Sequence, residues 1–131
     1  MERNEKTRAL LAAFGCALAY LLAGKALTAV LPQVPEEAAR MWAFVHRCAA
    51  APIVEELVFR GAIQQLARPL GERQAVALQA VLFAVQHRGP AGMAYALVCG
   101  LVLGTIRSCT GSVWPGMLLH TLNNLLVFAA G

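Results

Sequence analysis

Glu55, Glu56 and Arg60 stand within six residues of one another, in a mainly apolar stretch that runs from Met41 to Leu66. At the centre of a membrane helix each such charge costs about 2.5–3.5 kcal/mol. A fold that keeps three charges there has to supply polar partners from other helices, and intramembrane charges commonly mark functional sites. We therefore interpret this stretch as the centre of a catalytic site.

The composition favours a surface that faces lipid. Of the 131 residues, 59% are hydrophobic and 14% are charged, whereas a soluble domain carries about 25% charged residues. A membrane helix needs about 20 apolar residues, so the chain has room for about five. We predict an all-α, polytopic transmembrane bundle of about five helices. It forms a single integral-membrane domain over residues 1–131, with a charged tail at 1–8 and a motif core at 51–126.

Prolines, glycines and charged residues divide the apolar sequence into segments. We predict five helices, which run from Ala9 to Leu31, from about Glu36 to Ala67, from Gln74 to His87, from Ala91 to Ile106, and from about Trp114 to Ala129. Leu31 and Pro32 begin the first break. Pro52 is expected to kink the second helix and to free backbone carbonyls there. Gly100 and Gly104 form a GxxxG spacing, which allows close helix approach in lipid.

The basic residues favour one orientation in the membrane. If five helices cross, one side carries Arg3, Lys6, Arg8, Arg68, Arg73 and Arg107. The positive-inside rule makes that side cytoplasmic, so we expect a protein of the plasma membrane with its N-terminus in the cytoplasm. The basic residues form no stripe of the kind that binds nucleic acid. The expected partners are membrane lipid and a membrane-anchored protein or peptide substrate, and the oligomeric state is left open.

Helical spacing separates the roles of the two glutamates. Glu56 and Arg60 are four residues apart, so they share a helix face and can form an ion pair. Glu55 points about 100° away from Glu56. We therefore predict that Glu56 and Arg60 support the site, whereas Glu55 is free to face a cavity. A purely structural ion-pair network is the alternative.

Two other predicted helices carry polar clusters. His87 ends a face of the third helix that also contains Gln79 and Phe83, and His120 and Asn124 lie four apart on the fifth. In lipid these side chains must find partners inside the protein. With Glu55 they form a set suited to hydrolysis, in which the carboxylate takes a proton from water. Donors on the opposite wall stabilise a tetrahedral oxyanion.

At these residues the chain resembles the CPBP family of intramembrane proteases, the CAAX-protease and bacteriocin-processing group. The resemblance covers about Ala51 to Leu126 and rests on three motifs in order. They are EExxxR as Glu55-Glu56-Leu57-Val58-Phe59-Arg60, FxxxH as Phe83-Ala84-Val85-Gln86-His87, and HxxxN as His120-Thr121-Leu122-Asn123-Asn124.

The resemblance implies a glutamate-dependent protease without a cofactor. It implies that Glu55 activates water, that His87 helps to hold this water, and that His120 and Asn124 form the oxyanion hole. Two alternatives stay open. The first is a zinc-dependent protease with Glu55, His87 and His120 as ligands, which are permissible for Zn²⁺ although HExxH is missing. The second is a non-catalytic membrane protein, such as an immunity or assembly factor, that keeps its polar core for packing.

Overall fold

The computed structural model of the protein describes residues 2–30 and 33–131. These residues form five helices and no strand. The helices are α1 (Glu2–Val30), α2 (36–70), α3 (Glu72–Ala84), α4 (Gly89–Thr110) and α5 (Trp114–Ala130). The predicted all-α bundle of about five helices is confirmed.

Helix α1 starts earlier than the sequence predicts. It begins at Glu2 instead of Ala9, because five of residues 2–8 are Glu, Lys or Arg, which are good helix formers, and Glu2 pairs with Lys6 one turn later. Met1 and the predicted break at Leu31 and Pro32 lie outside the described residues. Residues 2–8 of the charged tail therefore form the first two turns of α1.

Helix α1 packs through its smallest side chains. Its buried residues are Ala9, Ala13 and Ala17, which follow one another at four-residue steps. Tyr20 extends this contact by packing edge-on against Phe59 of α2, with the ring centroids 5.5 Å apart. The larger side chains of α1, such as Leu11 at 69% exposed, point outward. Helices α1 and α4 are long and apolar enough to cross a membrane, and a lipid environment accounts for this outward apolar surface.

Helix α2 is continuous but irregular. It contains two π-helical segments, His46–Ala50 and Leu57–Ile63, and it ends in a 3₁₀ turn at Arg68–Leu70. The two π segments flank the turn that carries both glutamates. Wider turns of this kind occur often at functional sites, and hydrophobic periodicity does not reveal them.

Helix α3 is shorter than predicted. It ends at Ala84, after which the backbone N–H of Gln86 bonds to the Phe83 carbonyl and that of His87 to the Ala84 carbonyl. These three-residue bonds tighten the last turn, and Gly89-Pro90 then starts α4. His87 therefore lies in the connection between α3 and α4 and not on the helix, which corrects the predicted end.

The predicted close approach at the GxxxG spacing is confirmed, and α3 is the helix that approaches. A Cβ atom added to Gly100 would lie 2.9 Å from the Ala80 Cα atom. Gln79 uses this proximity to donate to the Gly100 carbonyl at 2.7 Å, and Gln64 of α2 donates to the Gly104 carbonyl at 3.0 Å. The glycine face thus joins helices within the chain.

Polar contacts tie three helices together at one end of the bundle. Glu72, the first residue of α3, accepts hydrogen bonds from Arg68 of α2 and from Ser108 of α4. Gln64 donates to the Ser108 hydroxyl at 3.0 Å. The hydrogen bond from Ser108 is the main reason that the pKa of Glu72 lies below its usual value. Arg68, which lies at this end of the bundle, is one of the basic residues that the sequence analysis placed on the cytoplasmic side.

Candidate active site

An open cavity of about 820 Å³ lies between α2, α4, α5 and the connection after α3. All four residues predicted to be catalytic line this cavity, namely Glu55, His87, His120 and Asn124. Among the described residues, Glu56 and Arg60 are not part of its lining, and they are 0% and 1% exposed. The fold therefore separates the candidate residues into a group on the cavity wall and a pair behind it.

The pair behind the wall is a buried ion pair. Arg60 Nη1 lies 3.0 Å from Glu56 Oε1, as the four-residue spacing predicts. The second oxygen of Glu56 lies against Gly116 at the start of α5, where an added Cβ atom would be 2.8 Å away. A buried carboxylate needs a counter-charge to persist, and Arg60 supplies it. Glu56 is fixed in position by contacts from two helices.

His120 connects the buried pair to the cavity. Its Nδ1 lies 2.9 Å from Glu56 Oε1, and its Nε2 lies 3.5 Å from Glu55 Oε2. The imidazole thus lies between the two carboxylates. The Glu55 side chain is 21% exposed, whereas that of Glu56 is 0% exposed. Of the two glutamates, Glu55 is the one open to a ligand.

The Phe83 ring packs against both histidines and the arginine. Its centroid lies 4.7 Å from the ring of His87 and 5.9 Å from the ring of His120. The Arg60 guanidinium carbon lies 4.5 Å from the same centroid, a distance at which cation–π attraction stabilises a desolvated arginine. The phenylalanine of the FxxxH motif thus separates the ion pair from the cavity while touching both.

His87 is oriented by a backbone carbonyl. Its Nδ1 lies 3.0 Å from the Phe83 carbonyl oxygen. A carbonyl only accepts hydrogen bonds, so Nδ1 must carry the proton in this contact. In the neutral ring the other nitrogen, Nε2, then presents a lone pair, which can accept a hydrogen bond from water.

Asn124 is held by a backbone carbonyl in the first π segment of α2. Its Nδ2 donates to the Arg47 carbonyl at 2.8 Å. In the first π segment the backbone N–H of Ala51 bonds to the His46 carbonyl. The next bond in this register would join the N–H of residue 52 to the Arg47 carbonyl, but residue 52 is a proline and has none. The contact from α5 is the one expected if Pro52 leaves this carbonyl without a helical donor, and it is a carboxamide that makes it.

Sequence reasoning missed two polar residues of the cavity wall. Tyr95 of α4 and Asn123 of α5 both line it, and the Tyr95 hydroxyl donates to Asn123 Oδ1 at 2.5 Å. Asn123 was visible as part of the polar cluster in α5. Tyr95, however, is an isolated polar residue in an apolar helix, and its hydrogen-bond partner lies 28 positions away in the chain. No local sequence pattern therefore connects the two residues.

The alternative zinc ligands were Glu55, His87 and His120. Within residues 2–30 and 33–131, no group of three or more His, Cys, Asp or Glu side chains is arranged to hold a metal ion. Of the two histidines in this set, His120 lies near both carboxylates, with Nδ1 2.9 Å from Glu56 Oε1 and Nε2 3.5 Å from Glu55 Oε2.

Comparison with known proteins adds one finding. The family described as Type II CAAX prenyl endopeptidase, Rce1-like, matches residues 37–126. The chain belongs to the Rce1-like family. This assignment confirms the resemblance to the CPBP group, and the matched region contains all three motifs. Neither a curated protein nor a solved structure matches the chain. The Rce1-like assignment identifies the chain as a member of a family of CAAX-protease-type peptidases of the membrane.

Proposed function

We propose that this protein is an intramembrane endopeptidase that hydrolyses a peptide bond with a water molecule activated by Glu55. The observation that carries the proposal is the position of His120, which contacts both glutamates while only Glu55 opens to the cavity. Glu55 is then the base, and Glu56 with Arg60 fixes the imidazole. A structural network needs no carboxylate that faces a cavity.

Both ring nitrogens of His120 face carboxylate oxygens, at 2.9 Å for Nδ1 and 3.5 Å for Nε2, and each of these positions calls for an N–H donor. Its Nδ1–H donates to Glu56 Oε1, because an ionised carboxylate only accepts hydrogen bonds. Buried charges persist when they are paired. Two carboxylates, one guanidinium and one imidazolium sum to zero, so the imidazolium balances Glu55. In this form Nε2–H can donate to an oxyanion.

The reaction keeps this balance. Glu55 takes a proton from water, and the hydroxide oxygen bonds to the carbonyl carbon of the substrate. The negative charge moves to the carbonyl oxygen, where His120 Nε2–H and Asn124 Nδ2–H donate to it. Glu55 then gives the proton to the amide nitrogen, and the carbon–nitrogen bond breaks. His87 Nε2 holds the attacking water as an acceptor.

The walls of the cavity favour a substrate with apolar side chains near the cleaved bond. A recess of about 230 Å³ between α4 and α5 lies beside the cavity, since both are lined by Cys99, His120 and Asn123. The rest of this recess is apolar and is formed by Val98, Val102, Leu103 and Leu119. We propose a membrane-anchored protein or peptide as substrate, and the family description makes a prenylated peptide with a C-terminal CAAX sequence the first probe.

The test is cleavage of a quenched-fluorescent, farnesylated CAAX peptide, and of a panel of membrane-anchored peptides, by purified protein in detergent. Glu55→Gln is compared with wild type, with and without a chelator, after both proteins are shown to be folded and monodisperse. We expect cleavage that survives chelation and disappears in Glu55→Gln. Loss on chelation with recovery on zinc addition would replace the mechanism by the metal-dependent one. Equal cleavage by Glu55→Gln would remove Glu55 as the base.

The orientation is a separate proposal. We propose that the end of the bundle with Arg68 and Glu72 faces the cytoplasm together with the N-terminus, in the plasma membrane, and that the cavity opens toward the other face. The positive-inside rule supports it. A reporter fused after Gly131 should read as extracytoplasmic, and a cytoplasmic reading would reverse the assignment.

A further inference from the structure

A chain of hydrogen bonds crosses the cavity wall from α4 to α2. The Tyr95 hydroxyl donates to Asn123 Oδ1 at 2.5 Å, Asn123 Nδ2 donates to Asn124 Oδ1 at 3.3 Å, and Asn124 Nδ2 donates to the Arg47 carbonyl at 2.8 Å. The motif residue Asn124 is thus one member of a series. Tyr95 lies outside the three motifs, and Asn123 occupies one of the unspecified positions of HxxxN.

The series has a single direction, which is set at its backbone end. The Arg47 carbonyl can only accept, so Asn124 must direct its NH₂ group toward α2 and its oxygen toward Asn123. That oxygen requires a donor, so Asn123 must present its own NH₂ group. The Asn123 oxygen then faces Tyr95, whose hydroxyl has to donate. Each step fixes the orientation of the next carboxamide.

This direction matters because a carboxamide NH₂ group carries two hydrogens. One N–H of Asn124 is occupied by the Arg47 carbonyl, and the second has no partner among the described residues. Asn124 lines the cavity, and the free N–H is the donor that an oxyanion needs. If the carboxamide turned over, an oxygen would stand in the place of this donor and would repel the developing charge.

We propose that Tyr95 and Asn123 are positioning residues that hold the Asn124 carboxamide with its free N–H available to the oxyanion. The inference rests on the proposed function, in which Asn124 stabilises the oxyanion. Asn123 acts directly on Asn124 through its NH₂ group. Tyr95 acts through Asn123, from a helix that carries none of the three motifs.

The first test measures kcat and KM for cleavage of the farnesylated CAAX peptide. Tyr95→Phe and Asn123→Ala should each lower kcat about tenfold, the effect expected for loss of one neutral hydrogen bond, with KM nearly unchanged. In the background of Asn124→Ala, the same changes should cause no further loss, because they act through a side chain that is gone. Thr105→Val is the control, since that hydroxyl bonds to a carbonyl of its own helix.

The outcomes separate the inference from the proposed function. If Asn124→Ala keeps full activity, the oxyanion role fails. If Asn124→Ala loses activity whereas Tyr95→Phe and Asn123→Ala do not, the positioning role alone fails. Additive losses in the double variants would likewise overturn it, because they would show effects independent of Asn124.

A second readout needs no substrate. The chain has only three asparagines, Asn4, Asn123 and Asn124. Labelling with ¹⁵N-asparagine therefore gives three side-chain NH₂ groups in the NMR spectrum, and substituting each asparagine in turn assigns its signals. Tyr95→Phe should shift the Asn124 signals and speed their hydrogen exchange, although the Tyr95 hydroxyl bonds to Asn123 and not to Asn124. Unchanged Asn124 signals in Tyr95→Phe would overturn the inference. Thr105→Val should leave all three signals in place.

Discussion

The Asn124 carboxamide bonds to the carbonyl that Pro52 leaves without a helical donor. The contact measures 2.8 Å from Asn124 Nδ2 to the Arg47 oxygen, and it joins α5 to α2 at the level of the cavity. A proline in the interior of a helix removes a backbone bond at a cost of about 3 kcal/mol. Here the free carbonyl orients a residue of the candidate site, so the local defect in α2 has a role in the fold.

Replacing this proline should separate stability from activity. Pro52→Ala supplies a backbone N–H that competes with the Asn124 amide for the Arg47 carbonyl and draws this oxygen back toward the helix axis, which weakens the contact with Asn124. Recovery of helix propensity, about 3 kcal/mol for Pro to Ala, exceeds the loss of one hydrogen bond, about 1 kcal/mol. We expect an unchanged or raised Tm and about a tenfold lower kcat. The measurements are thermal unfolding in detergent and peptide cleavage.

Pro115→Ala is the matched control for this variant. Pro115 lies in the first turn of α5, where the backbone N–H has no intrahelical partner in any case. Neither Tm nor kcat should change much. Undiminished cleavage by Pro52→Ala would mean that the carbonyl of Arg47 does not position Asn124.

Removing the buried carboxylate should destabilise the fold. Glu56→Gln leaves the Arg60 charge buried without its counter-charge, and breaking such a pair costs about 3–5 kcal/mol. The free energy of unfolding, from denaturant titration in a fixed detergent, should fall by this amount. The double variant Glu56→Leu with Arg60→Met removes both charges and should recover most of the loss. A Glu56→Gln protein as stable as wild type would show that the pair is not needed for folding.

The sequence predicted the parts of the site that depend on spacing within one helix. Glu56 and Arg60 pair as four-residue neighbours do, and Glu55 opens to the cavity as the helical angle requires. The relation of His120 to both carboxylates could not be read in this way, because it depends on how α5 packs on α2. The sequence did not predict the two π segments either, since wider turns leave no signature in hydrophobic periodicity.

The position of His87 shows a second limit of prediction from sequence, which concerns where a helix ends. An apolar run continues through Val85, so periodicity extends the predicted helix to His87. The three-residue bonds after Phe83 stop the helix at Ala84 instead, and the Phe83 carbonyl then takes the His87 ring. The FxxxH spacing thus brings Phe83 and His87 into contact, although the helix predicted to carry His87 ends before it.

Close packing of α3 on α4 should tolerate no methyl group at Gly100. A Cβ atom there would lie 2.9 Å from the Ala80 Cα atom, and backbone atoms cannot move aside as the end of a side chain can. Gly100→Ala should therefore lower the free energy of unfolding by about 1–3 kcal/mol, the usual effect of overpacking. Gly24→Ala is the control, because its added methyl group meets nothing within 4 Å. Equal stabilities of the two variants would contradict the packing of α3 on α4.

A methyl group at Gly116 should act on the site itself. An added Cβ atom would lie 2.8 Å from Glu56 Oε2. This carboxylate cannot withdraw without lengthening its contacts to Arg60 and His120, which measure 3.0 and 2.9 Å. We therefore expect Gly116→Ala to displace His120 and to lower kcat by about 10²–10³, the effect of losing an oxyanion donor.

Gly15→Ala is the control for Gly116→Ala. Its added methyl group meets nothing within 4 Å on α1, and alanine is the better helix former by about 1 kcal/mol, so its kcat should match wild type and its Tm should not fall. Both variants are compared by cleavage of the farnesylated CAAX peptide and by thermal unfolding. If Gly116→Ala cleaves the peptide at the wild-type rate, the contact between α5 and Glu56 does not set the position of His120. A fall in kcat with a small change in Tm would instead show that the close approach of Gly116 to Glu56 serves the geometry of the site.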